Sequence, residues 1–240
     1  MAGHNKWSKI KRDKGVNDAK RGAVFTKIGN MIPLAARQGT DPDMNPSLAL
    51  AIEKARQANM PKDNIQRSID RVADKNAAVL EELTYEGYGP GGVGIIVEVA
   101  TDNRNRTLPE VKIALTKNGG SMADAGSVMF QFTRKGVIRV KATGEDALLT
   151  VLDAGAEDAN EDDGEIVVYT DMKDLHAVRK AIADAGLEVA DAELQYVSNA
   201  EVPVDDAETA RKLLKVLDAL DDCDDVTNVH TNADITADVE

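Results

Sequence analysis

Apolar positions along the chain change period near residue 75. Between Asp18 and Gly39, Phe25, Ile28, Ile32 and Ala35 recur at helical spacing. Gly29, Asn30 and Pro33 fall inside that pattern. A proline in a helix interior removes a hydrogen bond and costs about 3 kcal/mol, so the sequence predicts a kink or break over residues 29–33. Lys20 and Lys27 project from the face opposite Phe25. Gly39 and Asp41-Pro42 close this helix. A second helix follows Asn45-Pro46, with Leu48, Ile52 and Ala55 as its stripe. Asn59-Met60-Pro61 opens a third, with proline at the first helical position and Ile65, Ile69 and Val72 inward.

Residues 76–82 read as a linker, and the period then becomes mixed. Residues 93–101 form a nearly unbroken apolar run, the mark of a central strand. A helix follows over 106–118, with Leu108, Val111 and Leu115 inward and Gly119-Gly120 at its end. A strand is expected over 127–133. A compact unit comes next: strand 136–141, helix 145–154, strand 156–160, turn 162–164, strand 165–170, helix 172–185 and strand 188–197. This βαββαβ order is ferredoxin-like. The tail adds strand 200–204, helix 206–221 (Ala210, Leu213, Leu217 and Leu220 inward) and strand 226–232. Joined to residues 93–133, it supplies a second unit of the same kind.

The fold class expected is therefore α+β: an N-terminal helical domain plus two ferredoxin-like-type α+β domains, one inserted in the other. The boundaries are 1–75 for the helical domain, 76–134 with 199–240 for the discontinuous domain, and 135–198 for the insert. One continuous sheet is the alternative. The insertion is preferred because each half of the discontinuous domain alone leaves three elements and an open sheet edge.

Composition narrows the class. Aromatics are scarce, with one Trp, three Phe and four Tyr, so the cores rest on Ala, Val, Leu and Ile. The single cysteine, Cys223, excludes an intrachain disulfide and a Cys-based metal site. It suits a reducing cytoplasm. The first residues have no apolar core of a secretory signal, and no apolar run is long enough to cross a bilayer.

The formal charge of −13 argues against a polyanionic partner, but its distribution reverses that reading. Residues 1–39 hold nine Lys or Arg against two Asp, whereas residues 142–240 hold six against 27 Asp or Glu. A chain so polarised is suited to binding a polyanion by one end, with the acidic end held away. Lys6, Lys9, Lys11, Arg12, Lys14, Lys20, Arg21 and Lys27 would neutralise phosphates. Trp7, among them, is placed to stack on an exposed base or to anchor the arm to the protein. A solvated terminus explains such a run equally well. Arg104 and Arg106, at a strand-to-helix junction, are second-tier phosphate contacts, set against capping by Asn105 and two solvated arginines. The loop 119–127 has the glycines of a mobile contact loop.

Other patterns fail on context. Gly89, Gly91 and Gly94 spell G-x-G-x-x-G but precede a strand, so no dinucleotide site is built. A tight turn or a backbone that hugs a partner fits better. Asp158, Asn160 and Asp162 imitate the first ligands of a calcium loop, but Asp163 and Tyr169 occupy positions that need Gly and Glu. His4, His176 and His230 have no metal-ligand spacing. No nucleophile elbow or paired cysteine is present. No catalytic residue, cofactor or metal is expected.

Six ordered segments carry a family resemblance. They are Ala2-Gly3-His4-Asn5-Lys6-Trp7, Phe25-Thr26-Lys27, Asn59-Met60-Pro61-Lys62, Tyr85–Gly92, Thr101–Thr107 and Lys135-Gly136-Val137-Ile138. Together they resemble the YebC family of gene-expression regulators. The resemblance implies a helical domain followed by two α+β domains, one inserted in the other, and no enzymatic activity. Bacterial relatives are described as DNA-binding transcriptional regulators. Organellar relatives are translational activators, and bacterial ones have also been tied to ribosomes stalled on proline-rich sequences. Asn5 stands where many bacterial members have Ser, and Gly29, Asn30 and Pro33 interrupt a helix that is usually continuous.

The expectation is a non-enzymatic, cytoplasmic nucleic-acid-binding regulator, with duplex DNA as the target in transcriptional control. The alternative is a ribosome-associated translation factor that binds ribosomal RNA. A protein- or ligand-interaction module, with the basic arm incidental, is the reading from a different class. No membrane partner is expected, and the sequence does not fix an oligomeric state.

Overall fold

The computed structural model describes residues 18–74 and 77–239, with side chains from Gly22 onward. The chain forms two compact units, one from the chain up to Phe132 together with Ser198 onward, the other Thr133–Val197.

The first unit begins with three helices, α1 (Asp18–Ala36), α2 (Pro46–Gln57) and α3 (Lys62–Asp70). Ile28, Ile32 and Ala36 pack with Leu48, Ala55, Ile65 and Ile69 in one buried cluster. The break expected over 29–33 does not occur: α1 runs through Gly29, Asn30 and Pro33. Burying two isoleucines is worth about 3–6 kcal/mol together, which outweighs the missing proline donor. Val72 is a second departure, lying beyond the end of α3 and partly exposed. Asn45 joins α1 to α2. Its Oδ1 accepts the Leu48 N–H at 3.1 Å, and its Nδ2 donates to the carbonyls of Ala35 and Gly39. Asn59, at φ 58°, ends α2 in the left-handed region, as a C-terminal Asn often does.

The segment read as a linker contains the start of a strand. β1 (Glu81–Tyr88) pairs antiparallel with β2 (Gly94–Thr101), from Glu81↔Thr101 to Tyr88↔Gly94. Leu83 and Tyr85 turn inward and Glu82 and Thr84 outward, a period of two hidden by the acidic residues. The glycine-rich stretch is the connection between these strands, a single 3-10 turn at Pro90–Gly92 with Gly91 at φ 82° and Gly92 at φ 76°.

After β2 come α4 (Arg104–Lys117) and the short β3 (Ser121–Met122). α4 starts two residues before the expected helix and is capped by Asn103, not Asn105. The Asn103 Oδ1 accepts the N–H groups of Asn105 and Arg106. Its buried face is Thr107, Val111, Ala114 and Leu115, while Leu108 stays 44% exposed. The strand expected over 127–133 is instead a turn and a 3-10 helix at Met129–Gln131. β4 (Phe132–Val140) takes up only the last two residues of that expected strand and runs on without a break through the strand expected over 136–141.

The chain returns from the second unit as β8 (Val202–Val204), α7 (Ala207–Asp221), β9 (Val226–Thr231) and β10 (Ala233–Ile235). The main sheet has the order β3-β1-β2-β9, and β8 pairs with β10 in a separate parallel ribbon. Val97, Val99, Val111, Leu115, Leu213 and Leu217 form the core between this sheet and helices α4 and α7.

The second unit runs β4, α5 (Glu145–Asp153), β5 (Asp158–Asp162), β6 (Glu165–Thr170), α6 (Leu175–Asp184) and β7 (Val189–Ser198). Its strand order β5-β6-β4-β7 places first and third strands at the centre, the ferredoxin-like arrangement. Asp163 and Gly164, both at positive φ, form the hairpin turn at the run that imitates a calcium loop. The protein as a whole is α+β.

Candidate nucleic-acid interface

Of the residues expected to meet phosphate, Lys6, Trp7, Lys9, Lys11, Arg12 and Lys14 lie outside the described residues. Lys20 and Arg21 stand in the first turn of α1, where only the backbone is described. The structure places the other three in detail, and each is engaged within the protein.

Lys27 departs most from expectation. It is only 9% exposed and reaches α7, where its Nζ bonds Asp221 Oδ1 at 3.1 Å and donates to the Asp221 carbonyl. The periodicity that set Lys27 opposite Phe25 was read for an isolated helix. In the fold that face also has a neighbour, and the ammonium caps the C-terminal end of α7, where helix carbonyls favour a cation.

Arg106 lies over a buried carboxylate. Its guanidinium bonds both oxygens of Asp225, at 2.8 and 3.0 Å, and Asp102 at 3.2 Å. Asp225 also accepts from Thr101 Oγ1 at 3.0 Å and Thr107 Oγ1 at 2.6 Å. Burial pushes the Asp225 carboxyl up, but bonds from Thr107, Arg106 and Thr101 outweigh it and hold it below its ordinary value. The hydrogen bond that Arg106 donates to Asp225 is the main reason its guanidinium is pushed up. Arg104, one helical position from the cap, is exposed and pairs with Glu81 of β1. Much of the Thr101–Thr107 segment thus knots the start of α4 to the residue before β9.

The loop after α4 is likewise tied down rather than loose. Glu86 is buried, and its carboxylate accepts the N–H groups of Gly126 and Val128 at 2.6 Å and of Met129 at 2.8 Å. Burial raises the Glu86 carboxyl, and these three amides together bring it below the usual value. The Tyr88 hydroxyl adds a bond to the Ser127 carbonyl at 3.0 Å. The glycines of this region make close packing possible. A Cβ on Gly87 would lie 2.9 Å from the Ser121 carbonyl oxygen, and one on Gly89 2.8 Å from Leu213.

Two cations that the sequence reading passed over are exposed on α3, Lys62 and Arg67. Lys62 follows Pro61, and the start of α3 has no side-chain cap. The signal was the basic residue beside a helix-opening proline. Of the histidines, His230 is buried on β9 against Glu98, with Nε2 2.9 Å from Oε2, and His176 lies on α6. Among the described residues, no group of three His, Cys, Asp or Glu side chains is placed to hold a metal. No helix among them is long and apolar enough to cross a membrane.

Family models match both parts of the chain. Residues 5–75 match the N-terminal domain of the TACO1/YebC protein, and residues 80–233 its second and third domains. The chain belongs to the TACO1/YebC family. A TACO1/YebC relative from Thermobifida fusca, named "probable transcriptional regulatory protein", is 51% identical over 98% of this chain and 96% of its own length. A Mycolicibacterium gilvum relative of the same name is 49% identical over 100% of this chain and 97% of its own length. The crystal structure of a conserved hypothetical protein from Aquifex aeolicus superposes with a TM-score of 0.86 at 39% identity. It covers 92% of this chain and 93% of that one. Relatives of this TACO1/YebC chain thus carry a regulator's name, and its architecture is shared with a solved structure.

Proposed function

We propose that this protein is a non-enzymatic regulator of gene expression that binds duplex DNA through its basic N-terminal segment and acts in the cytoplasm. The observation that carries the reading is the segregation of charge, with nine Lys or Arg against two Asp in residues 1–39 of a chain whose net charge is −13. Lys27 and Arg106 already neutralise carboxylates of the protein. The phosphate-binding work therefore falls to Lys6, Lys9, Lys11, Arg12, Lys14, Lys20 and Arg21, with Arg104 as an accessory contact and Trp7 as a stacking group. The names of the relatives support a role in transcription. Backbone contacts of this kind position a protein without reading sequence, so affinity rests on charge.

The test is duplex binding measured across salt concentrations, with wild type beside a Lys9→Glu, Lys11→Glu, Arg12→Glu variant. Neutralising about six phosphates gives a slope of log K against log salt of roughly −5, and the variant should lose most of it. A flat slope, or equal binding by the variant, would reject the reading. Sedimentation of both proteins in lysate distinguishes the target. Wild type that travels with ribosomes, and a variant that does not, would move the partner from DNA to ribosomal RNA.

A further inference from the structure

An open groove of about 530 Å³ lies between the C-terminal halves of α4 and α7, a volume in the range of ligand clefts. Ala114, Ala219 and Cys223 contribute small, apolar surface, and Ile113 stands 59% exposed at its side. Glu110, Asp222 and Asp224 add three carboxylates, against which Lys117 is the one cation among the described lining residues. The field inside is negative. Burial first, and then Glu110, Asp222 and Asp224 against Lys27, push the Cys223 thiol up to about 11. The C-terminal end of a helix adds partial negative charge at the same place. An apolar groove with an anionic rim fits a cationic segment that also offers an apolar side chain.

The chain carries such a segment in Lys6-Trp7-Ser8-Lys9-Ile10-Lys11-Arg12. The groove is also within that segment's reach. α1 is fastened to the end of α7 through Lys27 and Asp221, one residue from Asp222. From Lys27 back to Asp18 the helix spans about 14 Å. Each residue before Asp18 extends the reach by up to roughly 3.3 Å. We infer that the groove between α4 and α7 is a docking site for the basic N-terminal segment, with Trp7 or Ile10 against Ile113 and its cations on Glu110, Asp222 and Asp224. The segment then has two competing partners, the anionic groove and a nucleic-acid backbone, and the groove holds it until a stronger polyanion displaces it. The competition rests on the function proposed above. The docking does not.

Trp7 is the chain's one tryptophan, so its emission and its quenching by acrylamide report on the segment in the intact protein. A synthetic peptide of residues 1–17 supplies the limit of full exposure. In wild type at low salt, Trp7 should emit at shorter wavelength and be quenched several-fold less than in the peptide. An Ile113→Lys, Asp224→Lys variant alters two exposed positions and should keep the wild-type circular dichroism. Its Trp7 should be quenched as readily as the peptide's, and it should bind duplex about five-fold tighter or more, the lower end of typical site coupling. Wild-type Trp7 as exposed as the peptide, or Trp7 equally protected in wild type and variant, would overturn the docking. The quenching comparison contains no nucleic acid. If neither protein binds duplex while the variant still exposes Trp7, the nucleic-acid reading fails and the docking stands.

Discussion

Lys27 and Asp221 are 194 positions apart in sequence and joined at 3.1 Å in the fold. The pair fastens the helical segment to the end of α7, and it turns an expected phosphate contact into a structural one. Both side chains are largely withdrawn from water. Removing one partner strands the other, which costs more than the intact pair is worth.

Lys27→Met should therefore lower stability by about 1.5–3 kcal/mol, the range for a hydrogen bond to a charged group. The thermal midpoint should drop by several degrees, and the salt slope of nucleic-acid binding should stay at its wild-type value. A melting curve and a salt titration on the same preparation check this. An unchanged midpoint with weakened binding would return Lys27 to the interface.

Arg104 and Arg106 should separate by the same pair of measurements. Arg106→Ala removes two bonds from the buried carboxylate of Asp225 and should lower the midpoint. Arg104→Ala breaks one exposed pair, worth about 0–1 kcal/mol, and should leave the midpoint within error. If Arg104 meets a phosphate, the salt slope falls by about one.

Acid stability should carry the mark of Glu86 and Asp225. Both carboxyls lie below their ordinary values in the folded protein. Their contribution is fully present above the unfolded value, about pH 4, and is lost as pH falls through the depressed folded values. Asp225→Asn should be less stable than wild type at neutral pH. The difference should shrink below about pH 4, as wild type loses what the variant never had. Denaturant midpoints from pH 7 down to pH 2 measure it. A difference that stays constant over that range would show that ionisation of Asp225 contributes nothing.

Glycines of the β1–β2 hairpin, Gly87 within β1 and Gly92 in its turn, should differ sharply in tolerance. Gly87→Ala drives a Cβ to 2.9 Å from a backbone carbonyl oxygen, which has no rotamer to escape into. The variant should melt well below wild type or fail to accumulate as soluble protein. Gly92→Ala meets nothing within 4 Å and is strained by its φ of +76° alone, a cost of about 1 kcal/mol. Parallel melts of the two variants test the contrast, and equal losses would refute the packing argument.

The linear order of residues carries what depends on local period and composition. It determined the three-helix start, the βαββαβ insert, the α+β class and the polar distribution of charge, because each is written in the spacing of neighbouring residues. Tertiary structure alone decided the rest. Pro33 stays within an unbroken helix because Ile28 and Ile32 are buried on partners far along the chain. β1 is a strand because β2 and β3 pair with it on either side, although Glu81, Glu82 and Glu86 conceal its alternation. Lys27, Arg106 and Glu86 look alike in sequence as charged residues on polar faces. Only the fold supplies Asp221, Asp225 and the amides of residues 126–129 as their partners, since a charge is satisfied by whatever the folded chain brings within hydrogen-bonding distance.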